Sequence, residues 1–476
     1  MSSRSNILLL VVLALVAGAT VFVAAVQLGD HVPLSPWEPG IAMEALRLDA
    51  GLPIYETGHA THLYGPLLTV LLGGVFKIFG LSFVAARVTM SIFAFALAIF
   101  LSVILCRAKS RACLAMAFLL FLGINFRTNL IVFSTQPDWA AAFLAVVSLY
   151  LWIARENSLF RCGMSLALLI GGTLFKQTAA SFALIPIVYV LLWKRPLRVR
   201  DLAVSALPTM SILLVLAAIH VLSPQMFQSI VIIPSSIKIY PERALIVTLY
   251  LFVAFPIVFI GLWSVLRARD PMTETERWIL SALAVLVPIS IWMTCKSGAG
   301  DNSLLFAYLA MTALFVARQD AIFNWLHSLS VPRSFFAAAA IALTIFISCF
   351  FQAGHNLALL SVRHGDDKYD AAVEIARGLS GTVVSPQDPT LVYRAKKYFG
   401  RSLYFELDAH GVAGNWPSEL PTSILQELEQ ANYVIAVHGY VPTPMTEGSL
   451  QSIGFHQVSF PELENSAYTV WNKTSE

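Results

Sequence analysis

Residues 7–26 read ILLLVVLALVAGATVFVAAV, a run without a single charge, and the chain then passes through SPWEPG at 35–40. In helical form such a run rises about 30 Å, the thickness of a bilayer's hydrocarbon core. A secretory signal has a shorter apolar core and a small-residue cleavage site, so the run is read as a retained first transmembrane helix. The rest of the chain keeps this character: 57% hydrophobic, 12% charged, mean hydropathy +0.73. A soluble domain could not hide that much apolar surface, so most of the chain must use lipid as its solvent. The net charge of +3 gives no sign of a nucleic-acid partner.

Ten further apolar segments follow at about 83–106, 112–132, 138–154, 162–175, 177–193, 202–222, 244–266, 278–295, 303–317 and 334–354. The expected fold class is therefore a polytopic α-helical membrane protein of about eleven spans. Pro186, Pro208, Pro256 and Pro288 lie inside spans, where neighbouring helices or side chains must satisfy the freed backbone groups. The five cysteines lie within or at the ends of apolar segments, with no CxxC and no Cys/His metal spacing, and read as small core residues.

Basic residues set the orientation. One set of loops carries fifteen Lys and Arg, crowded around 107–111, 194–200 and 267–277; the alternate set carries eight. By the positive-inside rule the N-terminus is cytoplasmic, and an odd number of spans places the tail on the other side. The expected division is a membrane domain over 1–358, with an outer loop at 27–82, and a C-terminal extracytoplasmic domain over 359–476. In a bacterium that means the inner membrane, with the tail in the periplasm. Within the outer loop, 67–79 is apolar but short, which suits an interfacial or re-entrant helix. In the tail, TVVS (382–385), SLYFE (402–406), YVIAVHG (433–439) and AYTVWN (467–472) read as strands, and 367–379 and 421–430 as helices. Together they predict a small α/β domain with a mainly parallel sheet.

Charges at a membrane edge are costly and therefore candidates for function. On the outer side stand Glu38, Asp138 in TQPDW, Lys176 in FKQT, Arg243, and Lys296 and Asn302 in KSGAGDN. Each also has a plain reading. Asp138 after a proline suits a helix N-terminus, Lys176 could reach the headgroups, and Glu38 could be a solvated loop acid. His59 and His62 do not complete a metal set, and DDKYD at 366–370 suits the first turn of a helix. No phosphate loop, nucleophile elbow or dinucleotide motif stands in a suitable context.

The order of these signals resembles the GT-C glycosyltransferases, nearest in style to the protein O-mannosyltransferase and aminoarabinose transferase branch. The residues that carry it are the acid Glu38, then GLPIY at 51–55, then YGPLLTVLLGGVFKIFGLSFVAARV at 64–88, with TQPDW, FKQT and KSGAGDN later. One departure stands out: many members have an adjacent Asp-Glu pair where this chain has Trp37-Glu38. The resemblance implies an inverting transferase that moves a sugar from a polyprenyl-phosphate donor to a hydroxyl of a glycan, lipid or protein acceptor, on the outer face, in envelope modification. It implies Glu38 as general base, Asp138 as orienting or assisting acid, and Tyr64, Lys176, Arg243, Lys296 and Asn302 toward the substrate. No cofactor is certain; a divalent metal would be compatible, with no ligand set to hold it. The alternatives are a lipid or solute transporter or flippase, which usually shows paired repeats and broken mid-membrane helices, and an O-antigen ligase or polymerase, which relies on a large outer loop rich in Arg and His.

Overall fold

A computed structural model describes residues 3–107, 111–124, 133–155, 158–267, 271–350, 368–410, 419–438 and 443–473. The chain forms two compact units, each assembled from separated stretches. One takes Met1–Leu28, Met90–Ala217 and Ile239–Ala358; the other takes Gly29–Thr89, Ala218–Lys238 and Leu359–Glu476.

The first unit is helical, as its uncharged runs require, and the chain is an integral membrane protein. Among the described residues six helices are long and apolar enough to cross a bilayer: Ile7–Gly29, Phe83–Leu105, Val199–Leu222, Glu274–Thr294, Asp301–Ser328 and Val331–Phe350. A seventh crossing is reached if Pro241–Ala254 and Ile257–Arg267, bent by 80° at their junction, count as one. The other expected spans are helices too, but Cys113–Gly123, Asp138–Ile153, Leu159–Phe175 and Gln177–Trp193 each have 17 residues or fewer. By length and composition, then, six or seven crossings are counted among the described residues, and the expected eleven are not confirmed. The last part of the expected span 112–132 lies outside the described residues.

The prolines behave differently from one another. Pro208 and Pro288 sit within continuous helices, and Pro186 occupies a helix's first turn. Pro256 marks the sharp bend, because its ring cannot donate and crowds the preceding turn. The Ile257 amide beyond it donates to Ser348 Oγ at 3.2 Å, a neighbouring helix satisfying a freed group. Helices Asp138–Ile153 and Leu159–Phe175 form a hairpin whose close approach depends on small residues. A Cβ at Gly172 would stand 3.1 Å from the Ala141 carbonyl, and Ser148 and Ser165 donate to each other's carbonyls at 2.7 and 2.8 Å. That hairpin fixes Asp138, at its beginning, beside Lys176, at its end.

In the second unit, helices Glu38–Asp49 and Leu67–Phe79 pack tightly, with Gly73 against the Ala45 carbonyl. Leu68, Leu72 and Phe76 form the buried face of the second helix, while Val70, Ile78 and Phe79 stay exposed. The tail holds a sheet of β1 (Val383–Val384), β2 (Tyr433–Val437), β3 (Phe455–Val458) and β4 (Tyr468–Lys473), ordered β1-β2-β4-β3. Only β1 and β2 run parallel; β4 is antiparallel to both its neighbours, so the sheet is not mainly parallel. Alternation along β2 sends Ile435 and Val437 into one core and Val434 and Ala436 into another, each completed by helices. SLYFE is not a strand but the start of helix Leu403–His410, whose Leu403 and Leu407, one turn apart, enter the second core.

Candidate functional site

The second unit carries the acids of the outer loop. Glu38 opens its helix with Pro39 at the next position, which suits a first helical turn. Its carboxylate is fully engaged. Arg87 donates from Nη2 to Oε2 at 2.7 Å and from Nε to Oε1 at 3.1 Å, and the Leu34 amide donates to Oε2 at 2.7 Å. The same guanidinium reaches the carbonyls of Asp30 and Val32, both at 2.6 Å. Both side chains are completely buried. A general base needs an oxygen within reach of the hydroxyl it activates, and this carboxylate instead ties the chain at 30–38 to helix Phe83–Leu105. Glu38 is therefore not the solvated loop acid of the plain reading.

The two tyrosine motifs meet: Tyr55 of GLPIY donates to the carbonyl of Tyr64 at 3.0 Å, and burial raises the Tyr55 hydroxyl. Tyr64 lies edge-on to the His62 ring, with centroids 5.7 Å apart. His62 Nδ1 is bonded to Glu44, which also accepts from Thr61 and from the His62 amide. That acid–imidazole pair was not singled out from sequence, since its partners lie eighteen positions apart. Arg47 pairs with Glu56, and the tail joins in: Arg401 bonds the Gly58 carbonyl and Glu406, which accepts from the Ala60 amide. Trp37, standing beside Glu38, donates its indole N–H to Asp408 at 2.8 Å.

The first unit carries the other half of the predicted set. Lys176 donates to Asp138 Oδ1 at 2.6 Å, and both residues are more than nine-tenths buried. Asp138 Oδ2 is also buried and has no hydrogen-bond partner among the described residues. Asp138 is thus more than a first-turn acid, and Lys176 does not stretch toward headgroups. Nearby in sequence order, the loops bearing Arg243, Lys296 and Asn302 are joined to one another. Ile239 forms a bridge with Lys296, and the Tyr240 amide donates to the Cys295 carbonyl at 2.9 Å. The Arg243 guanidinium lies over the Tyr240 ring at 4.0 Å, and Tyr250 donates to Asp301, beside Asn302, at 2.8 Å. Burial lowers the Lys296 ammonium. Just past Lys176, Phe182 meets Phe306 edge-on at 5.1 Å, which ties that stretch to the one following Asn302. Among the described residues no three His, Cys, Asp or Glu side chains are placed to hold a metal ion.

No family model and no curated protein sequence matches the chain. Solved structures do. ArnT from Cupriavidus metallidurans, bound to undecaprenyl phosphate, superposes with a TM-score of 0.60 at 13% identity, over 97% of this chain and 98% of that one. The oligosaccharyltransferase of Archaeoglobus fulgidus, in complex with Zn and sulfate, gives 0.53 at 14% identity, over 90% of this chain and 68% of that one. The mycobacterial arabinofuranosyltransferase AftD gives 0.51 at 12% identity, over 98% of this chain but 42% of that one. These neighbours are GT-C glycosyltransferases, and the chain has their fold.

Proposed function

We propose that the chain is a membrane glycosyltransferase that moves a sugar from a polyprenyl-phosphate donor to an acceptor hydroxyl on the outer, periplasmic face of the membrane. The GT-C fold supports the reaction class. One of its neighbours is described with undecaprenyl phosphate, and the Archaeoglobus enzyme AglB is described with a dolichol-phosphate. Nucleotide sugars are not expected outside the cytoplasmic membrane, so a transferase acting there draws on a lipid-borne donor.

The observation that carries the reading is the buried Asp138–Lys176 pair, with Asp138 Oδ2 without a partner among the described residues. The acceptor oxygen attacks the anomeric carbon, the bond from that carbon to the phosphate oxygen breaks, and the acceptor proton passes to Asp138 Oδ2. Configuration inverts in this single displacement. Polyprenyl phosphate leaves with the bonding pair, and its added charge is met by Lys176, with Lys296 and Arg243 binding the phosphate and Asn302 orienting the sugar. Glu38 holds the loop through Arg87 rather than taking the proton.

The test is Asp138→Asn, purified in lipid nanodiscs with a defined polyprenyl-phosphate sugar. Loss of a general base lowers turnover by roughly 10²–10⁴-fold. Turnover within a few-fold of the parent would remove Asp138 from this role.

A further inference from the structure

The transfer reading leaves one polar cavity without a task. It has a volume of about 270 Å³ and lies wholly within the unit that carries the outer loop and the tail. Part of its wall is one face of a helix: Ser423, Gln426 and Glu427 of Thr422–Glu429, with Gln430 just beyond, recur at helical spacing. The outer loop contributes Arg47, Glu56 and His59.

Charge decides what could occupy it. Arg47 is paired with Glu56, and Arg401, also in the wall, is paired with Glu406. Burial pushes Glu427 up to about 7, although the Arg401 amide and the Tyr398 hydroxyl both bond it. Burial and the nearby guanidiniums of Arg47 and Arg401 push His59 down, leaving a neutral imidazole at pH 7. An anion such as a phosphate would meet Glu56 and Glu427; a cation would meet Arg47 and Arg401. A sugar hydroxyl both donates and accepts, which matches the carboxamides of Gln426 and Gln430. Ser423 Oγ is buried and has no partner among the described residues. Phe399 adds an apolar surface for the carbon face of a ring. The volume is just under the ~300 Å³ at which small-molecule sites begin, room for about one sugar residue.

We propose that this cavity binds one residue of a neutral oligosaccharide, and that the oligosaccharide is the acceptor. The second half rests on the transfer reading above; the saccharide site itself does not. The C-terminal domain then has a task, selecting a carbohydrate acceptor together with the outer loop.

The full chain in lipid nanodiscs, free of sugar-based detergent, is titrated with mannobiose, galactobiose and arabinobiose by saturation-transfer NMR, and separately with undecaprenyl phosphate. At least one disaccharide is expected to bind. Replacing both exposed carboxamides (Gln426→Ala with Gln430→Ala) should weaken it by about tenfold, as two lost hydrogen bonds imply, with the unfolding midpoint unchanged. The site is overturned if no disaccharide binds, if the double variant binds like the parent, or if undecaprenyl phosphate competes for the cavity. Lipid binding without disaccharide binding would sink this proposal and leave the transfer reading standing. Disaccharide binding without lipid binding would do the reverse.

Discussion

Replacing Glu38 by Gln keeps the size and shape of the side chain, removes its charge and turns one accepting oxygen into a donating NH2 group. In the parent, Arg87 and Glu38 are both completely buried, and two N–H groups of the guanidinium are directed at the carboxylate. Removing one partner of a buried pair leaves the other charge uncompensated, which costs about 3–5 kcal/mol. The lower end applies here, because Arg87 keeps its bonds to the Asp30 and Val32 carbonyls and the new carboxamide can still accept. A loss of ~3 kcal/mol is a large share of the ~5–15 kcal/mol that holds a domain folded. Glu38→Gln should therefore lower the yield of folded protein and the thermal midpoint, and loosen 30–38 to protease. Turnover per folded molecule should fall by less than tenfold. The assay is thermal unfolding in nanodiscs alongside single-turnover transfer, with rates normalised to folded protein. A variant that is as stable as the parent but slower by 10² or more would refute the anchoring role, since loss of a general base has that signature.

Lys176→Met should weaken the lipid-phosphate donor by tenfold or more, and Lys176→Arg should recover most of it, read as donor Kd in nanodiscs; equal affinity in all three would exclude Lys176 from the donor site. Burial raises Glu427 from 4.5 to about 7 and Asp388 from 3.8 to about 6. Because the folded state holds these protons more tightly, their contribution is fully present below the unfolded values and is lost as pH rises through about 7. Protection factors over β1–β4, which divide out the intrinsic base-catalysed exchange rate, should accordingly fall between about pH 4.5 and 7.5, with a flatter profile in Glu427→Gln; a rise over that window would contradict the sign. Ser348→Ala strips the Ile257 amide of its side-chain partner at the bend, a loss of about 1–3 kcal/mol, and an unchanged unfolding midpoint would show that the amide finds another acceptor.

What was legible in the chain follows from the range of the interactions involved. Uncharged runs specify helices locally, so the expected spans are built of helices where they are described, with 244–266 broken at Pro256, and by length six or seven crossings are counted among those residues. Asp138 and Lys176 could be put on one side by charge counting, and a tight hairpin with Gly172 at its contact makes them neighbours. The pairing of Glu38 with Arg87 was not legible, although Arg87 lies within the motif that prompted the resemblance, because the two are 49 positions apart. Glu406 meets the outer loop across 346 positions, which no local pattern foretells. SLYFE failed for another reason. A five-residue apolar run fits a period of 2 or of 3.6, and only the second core, which takes Leu403 and Leu407 together, decides for the helix. The sheet's polarity failed because strand pairing is non-local, and β3 at 455–458 carries two exposed polar residues that mask it as a strand.

Two buried carboxylate–cation pairs thus look alike in the sequence and differ in how their bonding capacity is used. Glu38 accepts from Arg87 on both oxygens and from the Leu34 amide besides, while Arg87 directs two more of its donors at backbone carbonyls. Such a network rigidifies, and opening it to a substrate would strand a charge. Asp138 accepts from Lys176 on one oxygen and leaves the other, equally buried, without a partner among the described residues. An unsatisfied acceptor of that kind is normally worth about 1–3 kcal/mol of lost stability. On our proposal the acceptor hydroxyl donates to it. The hydroxyl cannot displace the guanidinium at Glu38 on comparable terms, and that asymmetry is the physical ground for assigning proton transfer to Asp138 and anchoring to Glu38.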